Sequence, residues 1–201
     1  PANQDIPDYM YYVSKGLYNE AAEVILKKNP LPAVLGSVCT HLCQTKCTRI
    51  NYDNPLLIRE IKRFVMESIT NEFKLKVASP NGLKVAIIGA GPSGLSAAFF
   101  LALEGFAIDV YETHSIAGGM VAEAIPAFRL DSTFLQKDID RIASLGIRFH
   151  WNHNIDKKEF ENIQKSYDYI YIAVGAQKVN KLNVPGSNLY GVLDPIQFLS
   201  S

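Results

Sequence analysis

The chain carries no surplus of charge, since its 20 lysines and arginines match its 20 aspartates and glutamates. A balanced chain offers no electrostatic footprint for nucleic acid or an anionic membrane. Its aromatic residues do not interleave with a basic patch either, so neither partner is expected. No basic-then-apolar leader follows Pro1, and no secretory signal is visible. Cysteine is scarce, at 3 residues, and all of it falls between Cys39 and Cys47. An odd, tightly clustered set makes a poor disulfide framework. It fits metal or cluster ligation in a reducing compartment, which makes the cytoplasm the expected location. Repeats and low-complexity tracts are absent. The apolar run from Val85 to Val110 is interrupted by a glycine cluster, Pro92, Glu104 and Asp109, as a strand–turn–helix–strand is and a membrane span is not.

What is present divides in two. With 48% hydrophobic residues the chain can bury a sizeable core, and its first eighty residues read as helical. Asp5 caps a segment opening at Ile6-Pro7. Tyr18 to Lys28 carries apolar residues at helical spacing and stops at Asn29-Pro30. A further amphipathic stretch opens at Pro55 and runs through Leu57, Ile58, Ile61, Phe64, Val65 and Ile69. Pro80-Asn81-Gly82 reads as a turn or linker, which places one domain over 1–80 and a second over 81–201. In the second, strands at Val85–Ile88, Phe106–Tyr111, Ile147–Trp151 and Tyr167–Val174 alternate with helices at Ser93–Glu104, from Asp131 to Leu145, and at Lys157–Gln164. That alternation predicts an α/β fold with a mostly parallel sheet, preceded by an all-helical domain.

Gly89-Ala90-Gly91-Pro92-Ser93-Gly94 satisfies G-x-G-x-x-G between a strand and a helix, and Glu112 ends the next strand. Gly89 permits the tight turn, Gly91 lets backbone approach a pyrophosphate, and Gly94 lets the helix pack on the sheet. The helix N-terminus then offers free N–H groups and partial positive charge to the phosphates. Glu112 is placed to accept from adenosine ribose hydroxyls. It excludes neither FAD nor NAD(P), although a carboxylate there disfavours a 2′-phosphate. Gly118-Gly119-Met120 supplies a second close-approach pair, which suits the extended chain of a flavin.

Cys39, Cys43 and Cys47 are spaced i, i+4, i+8 and on a helix would form one drifting stripe. Ligands and ordinary buried cysteines share that pattern. Zinc would need a fourth ligand, with His41 the nearest, and a [4Fe–4S] cluster needs four. His114, His150 and His153 are catalytic candidates by residue type only, and no catalytic acid, base or nucleophile is assigned.

Taken together, these segments resemble the NADPH-dependent glutamate synthase small-subunit family, whose module is shared with dihydropyrimidine dehydrogenase and selenate-reductase-type subunits. The resemblance rests on Asn29 through Cys39 with Cys43 and Cys47-Thr48-Arg49, on Lys84 to Glu112, and on Gly118 through Leu130. It also rests on Ala173 to Ala176, and on Val184-Pro185-Gly186 to Leu199. It implies a Rossmann-like FAD-binding half-domain after an iron–sulfur domain, with electrons passing from NADPH through FAD and [4Fe–4S] clusters to a partner. Carried over by position, Gly91, Pro92, Ser93, Gly94 and Leu95 would line the pyrophosphate and Glu112 would hold the ribose. Gly118, Gly119, Met120 and Arg129 would approach the flavin, and Ile155 the adenine end. Cys39, Cys43 and Cys47 would be metal ligands. The family has further cysteines ahead of a position like Pro1, and Lys62 stands where some members use a carboxamide or carboxylate ligand. The implied partners are a downstream NADPH-binding domain and an electron-accepting subunit, so the chain is expected to be a piece of a longer protein. Two other readings stay open: a non-catalytic nucleotide-binding assembly module, and a subunit of a selenate-reductase-like or pyrimidine-reducing enzyme. Half of an NAD-dependent dehydrogenase is a third, disfavoured because no substrate domain is evident downstream.

Overall fold

The structure is a computed structural model that describes residues 3–69, 73–176, 180 and 183–199. The first part is helical as predicted. Helix α1 (Ile6–Ser14) is capped by Asp5, whose carboxylate accepts from the Asp8 amide at 3.2 Å. Helix α2 (Tyr18–Leu26) stops short of Asn29-Pro30, and the Asn29 side chain there accepts from the Leu31 amide. Helix α3 (Pro32–Val38) follows, then 3₁₀ turns at Gln44–Lys46 and Thr48–Asn51, then α4 (Ile58–Ser68). The sequence placed the opening of α4 at Pro55. It begins three residues later because Leu57, at φ −77° and ψ 64°, is not helical.

The second part is α/β. Strands β1 (Lys84–Ile88), β2 (Ala107–Tyr111), β3 (Arg148–His150) and β4 (Tyr169–Ile172) form one parallel sheet in the order β3-β2-β1-β4. The intervening helices are α5 (Pro92–Leu103), α6 (Met120–Glu123), α7 (Ser132–Ala143) and α8 (Lys157–Ser166), and α9 (Pro195–Leu199) ends the described chain. Asp131 caps α7 by accepting from the Thr133 amide, and Gly146 closes the turn after it at φ +83°. Two elements depart from expectation. The short helix α6 has no periodicity to announce it. Among the described residues strand β4 has β1 alone as its neighbour, and Tyr169 and Ile172 are 57% and 62% exposed despite an apolar sequence.

The central strand β1 is sealed, with Ala86 and Ile87 wholly buried, as parallel sheets covered on both faces require. One apolar core runs through both parts and joins Tyr9, Leu26 and Val34 to Leu135, Ile139 and Ile142. Each large aliphatic side chain fully buried there contributes about 1.5–3 kcal/mol. Strand order reverses at β1, whose neighbours β2 and β4 are reached by crossovers in opposite directions. At such a switch point the carboxyl ends of the strands leave a crevice.

Candidate dinucleotide site and the cysteine segment

That crevice is a cavity of about 740 Å³, lined at its floor by Ile88, Gly89 and Gly91 and at its sides by the ends of β2 and β4. Each glycine of the loop has a different physical reason. Gly89 has φ +103°, and a Cβ there would lie 2.5 Å from the Ala173 carbonyl oxygen, so the loop presses on the end of β4. At Gly94 a Cβ would lie 1.9 Å from the Gly89 carbonyl oxygen, so this glycine lets α5 close on the turn. A Cβ at Gly91 would meet nothing within 4 Å. Because Gly91 lines the cavity, that space is a cradle for a ligand. Helix α5 starts there with no side-chain cap and with Pro92 in its first turn. Its first-turn amides are therefore available to an anion.

The second glycine pair sits on the first. The Gly118 amide donates to the Ala90 carbonyl at 2.9 Å, and a Cβ on Gly119 would come within 3.1 Å of the Gly91 Cα. Gly118 also touches Leu135 of α7 so closely that a Cβ would lie 2.7 Å from its methyl group. Glu112 is 7% exposed. One carboxylate oxygen accepts from the Ala90 amide at 2.7 Å, and the other from the His114 amide and the Thr113 hydroxyl. Burial works to raise its pKa, but these hydrogen bonds and the nearby His114 outweigh burial and hold it below the usual carboxylate range. A carboxylate has about four lone-pair sites, so three donors leave about one for an incoming hydroxyl.

Of the residues predicted for the dinucleotide, Gly89, Gly91, Pro92, Ser93, Glu112, Gly119, Met120 and Ile155 line the cavity. Gly94, Leu95 and Gly118 support it from behind, Leu95 being wholly buried. Arg129 is not among the lining residues. Its guanidinium donates to the Val38 carbonyl at 3.3 Å, beside the cysteine segment. Thr113, His114, Glu123, His153 and Asn154 also line the cavity and were not singled out for it. For all but Glu123, which ends α6, the signal was positional, because they follow strand ends. His114 leans on Glu123 at 2.9 Å, while His153 is tied to Glu159. Asp109, buried in mid-strand, takes a bidentate hydrogen bond from Arg148 and another from His150, and so fastens β3 to β2.

The cysteines do not form a stripe. Cys39 ends α3, His41 has φ +47°, and the 3₁₀ turns place Cys43 and Cys47 on separate bends. All three are free thiols, and none is buried. Among the described residues no three His, Cys, Asp or Glu side chains converge to hold a metal ion, so His41 does not complete a zinc site. Soft thiolates suit iron, but these three alone are not a finished site. Lys62 lies near enough to Cys39 and Cys43 to feel them electrostatically. Burial pushes its pKa down, against the upward pull of both sulfurs.

Comparison with known proteins gives two family matches. Residues 1–73 match the family described as dihydropyrimidine dehydrogenase domain II, 4Fe-4S cluster, and residues 87–162 match the NAD(P)-binding Rossmann-like domain. The chain thus joins a [4Fe–4S]-type helical domain to a Rossmann-like domain, and the resemblance to the glutamate synthase small-subunit family is borne out. It is 38% identical over 98% of its length to the protein YgfK of Escherichia coli O157:H7, of which it spans 19%. It is 36% identical over 94% of its length to the NADPH-Fe(3+) oxidoreductase subunit beta of Geobacter sulfurreducens, spanning 29% of that protein. It is 26% identical over its full length to the glutamate synthase [NADPH] small chain of Azospirillum brasilense, spanning 43%. Among solved structures, the Mycobacterium tuberculosis oxidoreductase FprA in complex with NADPH superposes with a TM-score of 0.50 and 25% identity. The match covers 59% of this chain and 28% of that one. No described helix is long and apolar enough to cross a membrane.

Proposed function

We propose that the chain is the ADP-binding half of an FAD site in an NADPH-linked electron-transfer oxidoreductase, with residues 1–80 as its iron–sulfur domain and 81–201 as its dinucleotide domain. The observation that carries this reading is Gly91, an uncrowded glycine lining a cavity at the switch point of the sheet, opposite an ionised Glu112. The loop approaches the pyrophosphate and the N-terminus of α5 meets its charge. Glu112 accepts from a ribose hydroxyl and repels a 2′-phosphate, which favours FAD over NADPH in this cavity. When bound, the flavin supplies the redox chemistry, and the chain binds and orients it. Cys39, Cys43 and Cys47 belong to the iron–sulfur part of the reading, together with ligands beyond these three. A reducing cytoplasmic setting and an electron-accepting partner subunit go with it.

The experiment is a fluorescence titration of the purified chain with FAD, NAD⁺ and NADPH. FAD is expected to bind more tightly than either nicotinamide dinucleotide. Gly91→Ala, at an ordinary φ of −70° and with open space for its methyl group, should weaken FAD by at least about tenfold, which is 1.4 kcal/mol. Its Tm should stay unchanged. NADPH binding more tightly than FAD, or unaltered FAD affinity in Gly91→Ala, would overturn the assignment.

A further inference from the structure

Helix α3, which delivers the chain to Cys39, has seven residues and no cap of its own. Its N-cap position is Leu31, which makes no side-chain hydrogen bond. Helices this short are marginal unless their ends are satisfied by other parts of the fold. Here the partners come from the dinucleotide domain. Asp138, on the inner face of α7, is 0% exposed. Its carboxylate accepts from the Ala33 amide at 3.0 Å and the Val34 amide at 3.0 Å, across 105 and 104 residues of sequence. Arg141, one turn further on, donates to the same carboxylate at 2.6 Å. Lys62 of α4 lies near enough to feel its charge. At the opposite end of α3, Arg129 donates to the Val38 carbonyl, the last helical residue before Cys39.

Asp138 therefore sits at the positive end of α3 and Arg129 at its negative end, both supplied from outside the helix, in the sense the helix dipole favours. Burial pushes the Asp138 pKa up, against the pull of Arg141 and of the two amides. The face of α7 that carries Asp138 also carries Leu135, which packs on Gly118 behind the cavity. One rigid helix thus touches both the cysteine-bearing helix and the glycine turn that rests on the phosphate loop.

We infer that Asp138 is a positioning residue: by capping the N-terminal end of α3 from the other domain it fixes the helix that leads to Cys39 against the dinucleotide domain. Asp138 touches no ligand itself. Its effect is to hold two sites in one frame, so that their separation is set by α7 and not by the linker around Pro80. The latch does not depend on which dinucleotide the cavity takes, so it stands or falls separately from the proposed function.

Amide hydrogen exchange on the whole chain without added cofactor tests it. In Asp138→Ala the amides of Ala33 and Val34 should exchange about tenfold to a hundredfold faster, as expected when buried donors lose their partner. The β1 amides of Val85–Ile88 should keep their protection. Asp138→Asn retains one acceptor oxygen and should fall between wild type and alanine. That graded, local response is not produced by a general packing role. Unchanged protection in α3 would overturn the inference, and so would equal loss in α3 and β1. Should the alanine variant fail to fold, the asparagine variant is judged by the same two criteria.

Discussion

The glycine turn and the cysteine segment were both marked by spacing, yet they are built in opposite ways. The glycine turn is finished before any ligand arrives. Its contacts are backbone on backbone, from the Gly89–Ala173 and Gly94–Gly89 approaches to the Gly118–Ala90 hydrogen bond. The cysteine segment has its donors half-buried or exposed on separate bends, and no cysteine belongs to the apolar core. Phosphate recognition by main-chain amides requires that the main chain be in place, so fold and site are a single requirement. Thiolate ligation forms strong bonds to the metal and supplies folding energy at the moment of binding, so the segment can leave its geometry to the metal. A preformed site is fragile to its own glycines, and an unformed one is indifferent to its own cysteines.

The largest expected effect is at Gly94. Its methyl group would sit 1.9 Å from a carbonyl oxygen, and no flexible side chain is there to move aside. Gly94→Ala should cost about 3 kcal/mol or more, roughly 6–12 °C in Tm for a chain of this size, measured by thermal or urea unfolding. Set beside Gly91→Ala, which should lose ligand and keep stability, it separates the glycine that makes the turn from the glycine that makes room. Equal stability loss at both positions would erase that separation. Next comes Glu112. Its folded pKa lies below its unfolded value, so its stabilisation is complete above the ordinary carboxylate pKa of about 4.3. That contribution is lost as pH falls through the depressed folded value. Glu112→Gln turns one acceptor towards donors and should cost about 1–3 kcal/mol near neutrality. Urea unfolding at a series of pH values should show a shallower acid loss in this variant. An unchanged acid limb would mean that Glu112 is not held by Ala90 and His114 in solution.

What the sequence made legible was local. The phosphate loop declares itself because glycine spacing, the preceding apolar strand and the acidic strand end all fall within Lys84 to Glu112. The cap at Asp131 and the stop at Gly146 are read from single residues next to the helix they bound. Asp138 was missed because its partners lie 104 and 105 positions away. A signal did exist, since Leu135, Asp138, Ile139 and Ile142 share one buried stripe and a charge within such a stripe needs a partner. The exposure of β4 was beyond reach for another reason. Apolar alternation records that a strand has neighbours, not whether the segments at hand supply both of them. The cysteine spacing left ligands and buried core equally open because period four imitates a helix, while the positive φ at His41 and the two 3₁₀ turns follow from no periodicity at all.

The smallest expected effect bears hardest on the contrast between the two regions. Cys43 is exposed and free, so Cys43→Ser removes a potential ligand and almost no packing. In the metal-free chain its stability should stay within about 0.5 kcal/mol of wild type, as for ordinary surface substitutions. Thiol titration of the native wild type should count three reactive cysteines, falling to two in the variant. After incubation with iron and sulfide, the wild type should lose thiol reactivity to a greater extent than the variant. The null stability effect is informative because Tyr9, whose burial and nearness to Cys43 both raise its pKa, connects this segment to the helical core. If Cys43→Ser lowered stability as much as Gly94→Ala, that connection would be structural, the cysteine segment would be preorganised like the glycine turn, and the contrast between the two regions would fail.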